Sequence, residues 1–406
     1  MPSVPPSPPS PALLERRIVF CVGAVQFVNI LDFMIVMPLG PDFTAALQIP
    51  TAQLGYIGGA YTAAASISGL GCAFFLDRFD RKKALAVCIL GLVLGTLAGA
   101  FATDLATLMM ARIVAGAFGG PATSLSYSII ADVIPPERRG RAMGAVMAAF
   151  AVASVLGVPA GLELAQRGGW RFPFIAVAVL GAVIGAYAYS VLPPMTGHLA
   201  AARGRRFGRD LLVLFRTDVL LSLTMTALIM ASSFVIVPNI SPYLQYNLHY
   251  PRADLGKLYL AGGVVSFIAM RRVGGLVDRY GSAPIATIGA VFVAVIIYVG
   301  FAREPPMIPV MAIFVLYMLG MAFRNVPYNT LTTKVPRPEE RARFGSIQSS
   351  VQHMASALGA FASAQLLTQL PEKKLGGMQN TAYASIALVT MMLPVLWIVE
   401  RRVARR

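Results

Sequence analysis

The chain has 406 residues, of which 57% are hydrophobic and 13% charged, with a formal net charge of +16. Soluble domains run nearer roughly 45–50% apolar and about 25% charged. A mean hydropathy of +0.69 therefore excludes an ordinary soluble fold and calls for lipid as the solvent of most side chains.

Residues 1–14, "MPSVPPSPPSPALL", are Pro/Ser-rich and read as a disordered tail; with no base before Arg16 they lack the positive leading region of a signal peptide. Apolar stretches follow near 18–39, 53–76, 84–101, 106–130, 142–162 and 172–192. Each meets the requirement of about 20 mostly apolar residues for a membrane helix. A second set lies near 218–240, 255–276, 284–301, 308–331, 344–369 and 380–399. The expected fold is an all-α integral membrane protein of twelve transmembrane helices in two pseudo-symmetric six-helix bundles, residues 15–192 and 218–400. Residues 193–217 form a basic cytoplasmic linker and 401–406 a basic cytoplasmic tail. Small residues, as in "GLVLGTLAGA", suit helices that must pack closely in lipid. Cys21, Cys72 and Cys88 lie in these apolar runs without paired spacing, so neither a disulfide framework nor a zinc site is expected.

Most of the 34 Lys and Arg residues fall on one side of the alternating spans, the side of both termini. Cytoplasmic loops collect bases in this way, which places both termini in the cytoplasm and the chain in the inner (plasma) membrane. The excess charge faces anionic lipid, and no nucleic acid is expected.

Two loops recur. "LDRFDRKKAL" has a partner in "VDRYGSAPIA", and "PPERRGRAMG" in "PRPEERARFG"; both pairs share one offset of 201 residues, 77 to 278 and 135 to 336. A six-helix unit is used twice, and such repeats place the substrate site between halves near the bilayer midplane. On these residues the chain resembles the major facilitator superfamily, in the branch of twelve-span drug:proton antiporters and sugar-efflux proteins. The family hinge between helices 2 and 3 is matched by Asp77, Arg78, Arg81, Lys82 and Leu85, with Ala73 and Asp80 where the motif has glycines. The second copy keeps Gly274 and Gly281 beside Asp278 and Arg279. Asp77, Arg78, Arg81, Lys82, Asp278 and Arg279 are expected to form a conformational latch at the cytoplasmic ends, or else to orient the loop against headgroups. Asp80 reads as a turn residue tolerant of a left-handed backbone.

Charges inside a span mark functional candidates. Asp32 lies roughly 21 Å from the inner face and Arg112 roughly 9 Å from the outer one, at 1.5 Å per residue. The two share a depth and can pair, as a proton-coupling site or as a structural ion pair. The resemblance implies the first reading, since Arg112 and Gly116 match the fourth-helix Arg-x-x-x-Gly motif tied to proton coupling in that family. Helical spacing puts Gln26, Asn29, Asp32 or Phe33, and Val36 on one face, expected to line the cavity. Tyr61, Tyr127 and Phe150 are further substrate-binding candidates. In the fifth span, Gly157, Pro159 and Gly161 resemble the family's antiporter motif and predict a kink.

In the second half the candidates are Arg324, Asn325, Tyr328, Gln348, Gln352 and His353. Arg324 either snorkels to the headgroups or lines the cavity; His353 either titrates or holds an interhelical hydrogen bond. No Walker-type loop appears, nor a constellation for intramembrane catalysis, so no enzyme, cofactor or metal is expected. The predicted function is proton-coupled efflux, by antiport and alternating access, of a small apolar, amphipathic or sugar-like solute. Solute uptake by symport or facilitation is the alternative. Partners are the solute, protons and the bilayer, with the protein acting as a monomer.

Overall fold

The computed structural model describes residues 11–75, 78–196, 216–337 and 341–405. Asp77, most of the tail and linker residues 197–215 lie outside the described residues. The first half contains α1 (Pro11–Val36), short α2 (Gly40–Leu47), α3 (Leu54–Phe75), α4 (Arg81–Ala100) and α5 (Leu105–Val133), then α6 (Pro136–Val152), α7 (Val158–Gly168) and α8 (Arg171–Val191). The second contains α9 (Thr217–Pro242), α10 (Leu255–Tyr280), α11 (Ser282–Phe301), α12 (Val310–Lys334), α13 (Arg341–Leu366) and α14 (Met378–Ala404). With the eight-residue α2 left out and α6 and α7 forming one continuous span, the described helices make twelve crossings. Helix α1 starts at Pro11, inside the segment read as a tail, and α14 runs through the expected C-terminal tail to Ala404.

Among the described residues, ten helices are long and apolar enough to cross a membrane by composition alone. The two long helices that are not, α3 and α13, pack on each other between the halves. Gly55 lies against the Ala360 carbonyl, Gly59 against Phe361, and Ser66 Oγ donates to the Ser350 carbonyl at 2.8 Å. A helix facing protein rather than lipid has no need of a continuous apolar surface.

Local chemistry sets the helix starts. Asp104 and Thr107 close a capping box on α5. Asp80 is not in a left-handed turn: with φ −55° it is the N-cap of α4. Its carboxylate accepts from Lys82 N at 2.8 Å and Met195 N at 3.1 Å. Its repeat partner Gly281 has φ +89° and needs glycine. There the cap comes from elsewhere, as Glu400 accepts from Ser282 N and Ala283 N at 2.6 and 2.8 Å.

The kink predicted in the fifth span is a π turn, Ala153–Gly157, just before Pro159. Proline removes a helical N–H, which such a turn accommodates. Gly157 and Gly161 sit against Leu31 and Ile35 of α1, and Gly263 of α10 sits against Val155. Glycines also set the packing of α5 on α3. A Cβ at Gly116 would lie 2.2 Å from the Tyr61 carbonyl oxygen, and one at Gly120 2.3 Å from that of Ala65. Gly116→Ala is expected to lower stability by about 1–3 kcal/mol, the usual cost of overpacking, read as a lower melting temperature of the purified protein.

The apolar core is distributed unevenly. One cluster, including Phe43, Trp170, Tyr243, Phe301 and Tyr317, spans both halves at the end away from the basic loops. At the basic end each half has its own cluster, around Ile18, Leu85 and Ile129 in the first and Val219, Tyr328 and Leu396 in the second.

Candidate functional site: a buried ion pair and its bridge to the second half

Asp32 on α1 and Arg112 on α5 meet inside the first half, 0% and 1% exposed. Arg112 Nη2 donates to Asp32 Oδ2 at 2.6 Å and Nη1 to Oδ1 at 3.0 Å. This two-pronged geometry is the strongest a guanidinium and a carboxylate can adopt. Thr96 of α4 stands at a branch. Its hydroxyl is 2.7 Å from Asp32 Oδ1 and 2.8 Å from the Leu92 carbonyl. One proton cannot serve both acceptors at once, so the Thr96 hydroxyl has two alternative partners.

The pair is sealed within the bundle rather than set across an open cavity. Gln26 and Asn29 are buried too, and they serve helix packing more than the lining role expected of them. Asn29 Nδ2 donates to the Gly119 carbonyl at 2.9 Å and to Thr123 Oγ1 at 2.8 Å, and Thr123 Oγ1 donates to Gln26 Oε1 at 3.3 Å. Tyr61 of α3 closes the cluster. Its hydroxyl donates to Asn29 Oδ1 at 2.8 Å while its ring lies 4.7 Å from the Arg112 guanidinium carbon. Phe33 stacks on Tyr61 at 5.2 Å and on Phe234 of α9 at 5.8 Å. A continuous contact thus runs from the ion pair to the second half. Tyr127 packs partly buried on the basic-end cluster, and Phe150 is exposed one turn before the π turn.

In the second half Arg324 does not snorkel. It is 1% exposed, donating to Ser233 Oγ at 2.6 Å, Ser232 Oγ at 3.2 Å and Asn325 Oδ1 at 3.3 Å. One turn on, the Tyr328 hydroxyl donates to Thr226 Oγ1 at 3.1 Å and accepts from Gln348 and Gln352 at 3.2 and 3.1 Å. His353 is partly buried, with no hydrogen bond among the described residues.

Two of the described hinge residues make contacts inside the first half. Arg81 Nε donates to Asp132 of α5 at 3.2 Å, and Lys82 lies 4.6 Å from the Tyr189 ring centre. Arg78, Asp278 and Arg279 are exposed. Apart from the deeper Ser66–Ser350 bond, the polar contacts that bridge the halves among the described residues sit at the opposite end, where sequence reasoning placed none. Arg252 Nε donates to Asp42 Oδ1 at 3.2 Å, Thr51 N to Gln369 Oε1 at 2.8 Å, and Ser241 Oγ to the Pro38 carbonyl at 2.9 Å. Gln365 also donates to the Tyr56 hydroxyl. The signal available was Pro41-Asp42 just after the first span and Pro251-Arg252 at the corresponding loop of the second half.

The Asp42–Arg252 pair is imperfect. Its second contact, Arg252 Nη2 to Asp42 Oδ2 at 3.0 Å, is an ion contact not aligned as a hydrogen bond, and neither atom has a hydrogen-bond partner among the described residues. Burial pushes the Asp42 carboxyl above its ordinary range, and Arg252 offsets this only in part. In a state where this end opens, Asp42 regains water and its ordinary value. The closed state therefore binds the proton more tightly, and closure is favoured as pH falls and loses that support as pH rises through the raised value. Spin labels at exposed Ala46 and Ala253 should show the short-distance population growing as pH is lowered from neutrality toward the ordinary carboxylate range. The Asp42→Asn protein should show no such dependence.

Twelve helices in two repeated bundles, each holding a polar cluster inside the membrane, define a membrane transporter. The chain belongs to the Major Facilitator Superfamily, whose family profile matches residues 22–360. It is 26% identical to the uncharacterized MFS-type transporter YtbD of Bacillus subtilis (strain 168) over 320 residues, covering 78% of this chain and 77% of that protein. It is 24% identical to a chloramphenicol resistance protein of Streptomyces lividans, covering 88% of this chain and 89% of that protein. The fold matches the inward-facing, unoccupied crystal structure of a bacterial homolog of the human lysosomal transporter Spinster, with TM-score 0.74 and 14% identity over 97% of this chain and 98% of that one.

Proposed function

We propose that the protein exports a small amphipathic solute in exchange for protons, by alternating access, from an inner membrane in which both termini face the cytoplasm. The observation that carries this reading is the dry Asp32–Arg112 pair with Thr96 at its side. In the ionised state Arg112 holds Asp32 and the Thr96 hydroxyl donates to it. When Asp32 takes a proton, its attraction to Arg112 falls, the Thr96 hydroxyl turns to the Leu92 carbonyl, and the guanidinium is freed to shift against Tyr61. Phe33 and Phe234 carry that shift to the second half. In the exchange cycle the solute binds from the cytoplasm as Asp32 gives up its proton there. Rocking of that deprotonated form breaks the Asp42–Arg252 end and brings the basic ends together, where Asp77, Arg78, Arg81, Lys82, Asp278 and Arg279 form the alternate latch, and proton uptake from outside returns the protein. The resistance protein among its relatives supports efflux. The test is transport of a fluorescent solute in proteoliposomes under pH gradients of each sign. Solute movement opposite to the proton gradient is expected; movement along it would replace antiport by symport, and indifference to it would leave a facilitator.

A further inference from the structure

The two halves treat the same helix pair differently. In the first, the opening and fourth spans, α1 and α5, bring Asp32 to Arg112. In the second, their counterparts α9 and α12 bring Ser232 and Ser233 to Arg324. Arginine does not lose its proton in proteins, so Arg324 is a buried cation. Among the described residues its acceptors are neutral: two serine hydroxyls, the Asn325 amide oxygen and the Met321 sulfur. Asp32 is the one described carboxylate in the middle of a spanning helix, and Arg112 already holds both its oxygens. The middle of the membrane therefore carries one uncompensated positive charge, at a site where desolvation of an ion is costly.

The position of that charge suits a ligand. Ser233 is followed by Phe234, which stacks on Phe33 across the boundary between halves, so Arg324 lies one residue's depth behind that boundary. Half-buried Gln348 and Gln352 of α13 stand a turn away with amide donors aimed at Tyr328. Hydroxyl acceptors are weak partners for a guanidinium, and a carboxylate that displaced them would make charge-assisted bonds roughly twice as strong.

We propose that the transported solute is an amphipathic organic anion and that Arg324 receives its carboxylate. This rests on the transport reading above and narrows its solute class. The probes are fluorescein, a carboxylate-bearing dye, and rhodamine 123, a cation on the same tricyclic core. Binding to the purified full-length protein is followed by fluorescence polarisation. Fluorescein should bind about 10-fold or more tightly than rhodamine 123, the scale of one hydrogen bond to a charged group. Arg324→Gln should weaken fluorescein by about 10- to 100-fold and leave rhodamine 123 unchanged, while Arg324→Lys keeps part of the preference. Equal or tighter binding of the cation, no detectable binding of either dye, or full fluorescein affinity in Arg324→Gln overturns the proposal. The preference of the unsubstituted protein decides the matter even if Arg324→Gln does not fold. Failure of the proton reading is distinguishable, since it leaves the dye preference intact and makes transport indifferent to the pH gradient.

Discussion

Asp32→Asn should abolish pH-gradient-driven transport while leaving the protein folded and able to exchange labelled for unlabelled solute. The reasoning starts from shape. Asparagine keeps an oxygen where Arg112 Nη1 and Thr96 Oγ1 now donate, at 3.0 and 2.7 Å, so packing survives. It removes the negative charge and the site that a proton can occupy. Coupling free energies are typically about 1–3 kcal/mol, or roughly 5- to 150-fold in an equilibrium. Driven transport is therefore expected to fall by about 100-fold, to the level of passive exchange. Arg112 is left as a buried cation without its partner, a loss that costs about 3–5 kcal/mol when a pair is fully broken and less where an amide oxygen remains. A modest drop in melting temperature should accompany the loss of coupling. Driven efflux at the normal rate would remove Asp32 from the mechanism. Loss of passive exchange as well would make the pair a packing element only.

The second large effect is expected at Gly55. A Cβ there would lie 2.4 Å from the Ala360 carbonyl and 3.0 Å from Ser363 Oγ, across the boundary between α3 and α13. Backbone does not move aside as a flexible side-chain tip does. Gly55→Leu should therefore act as a wedge that opposes closure at the end held by Asp42 and Arg252. Overpacking of this kind costs about 1–3 kcal/mol, which moves a two-state population by roughly 5- to 150-fold. Distances between spin labels at Ala46 and Ala253 should lengthen, on a background in which Cys21, Cys72 and Cys88 are replaced. Unchanged distances would mean that the two helices separate elsewhere along their length. Since every transport cycle must pass through this closed state, turnover should fall more than ligand affinity.

The sequence and the structure agree best where a single helix carries the information. Asp32 and Arg112 were placed at one depth by counting residues, because rise per residue is fixed. A helix irregularity near Pro159, seen as the π turn Ala153–Gly157, follows from a missing N–H, which is local too. What escaped was information held between helices. Thr96 reads as an ordinary residue of an apolar span until α4 brings it to 2.7 Å of Asp32. Asn29 and Gln26 sit on a polar face, yet the neighbour of that face is α5, not a cavity. By its distance from the helix end Arg324 reads either as snorkelling or as facing the cavity, and only the two serines of α9 show that it is held inside. The Asp42–Arg252 bridge joins residues 210 apart in the chain, so the Pro41-Asp42 and Pro251-Arg252 pairs signal it only when the two loops are set side by side.

The divergence of the repeated hinge has a similar cause. Asp80 and Gly281 occupy matching places, yet one is a cap with φ −55° and the other a left-handed turn with φ +89°. In the second half Glu400 supplies the carboxylate that Asp80 supplies in the first. Glycine and aspartate are thus two solutions to the same problem of starting a helix after a tight hinge.

Helices α3 and α13 answer to each other more than to the bilayer. A topology drawn from greasiness alone would skip both and count ten crossings. It would still set the two chain ends correctly, because two omissions preserve parity. Every loop between the omitted helices would be turned inside out. Reporter fusions at the connections after α4 and after α12 should reveal that inversion at once.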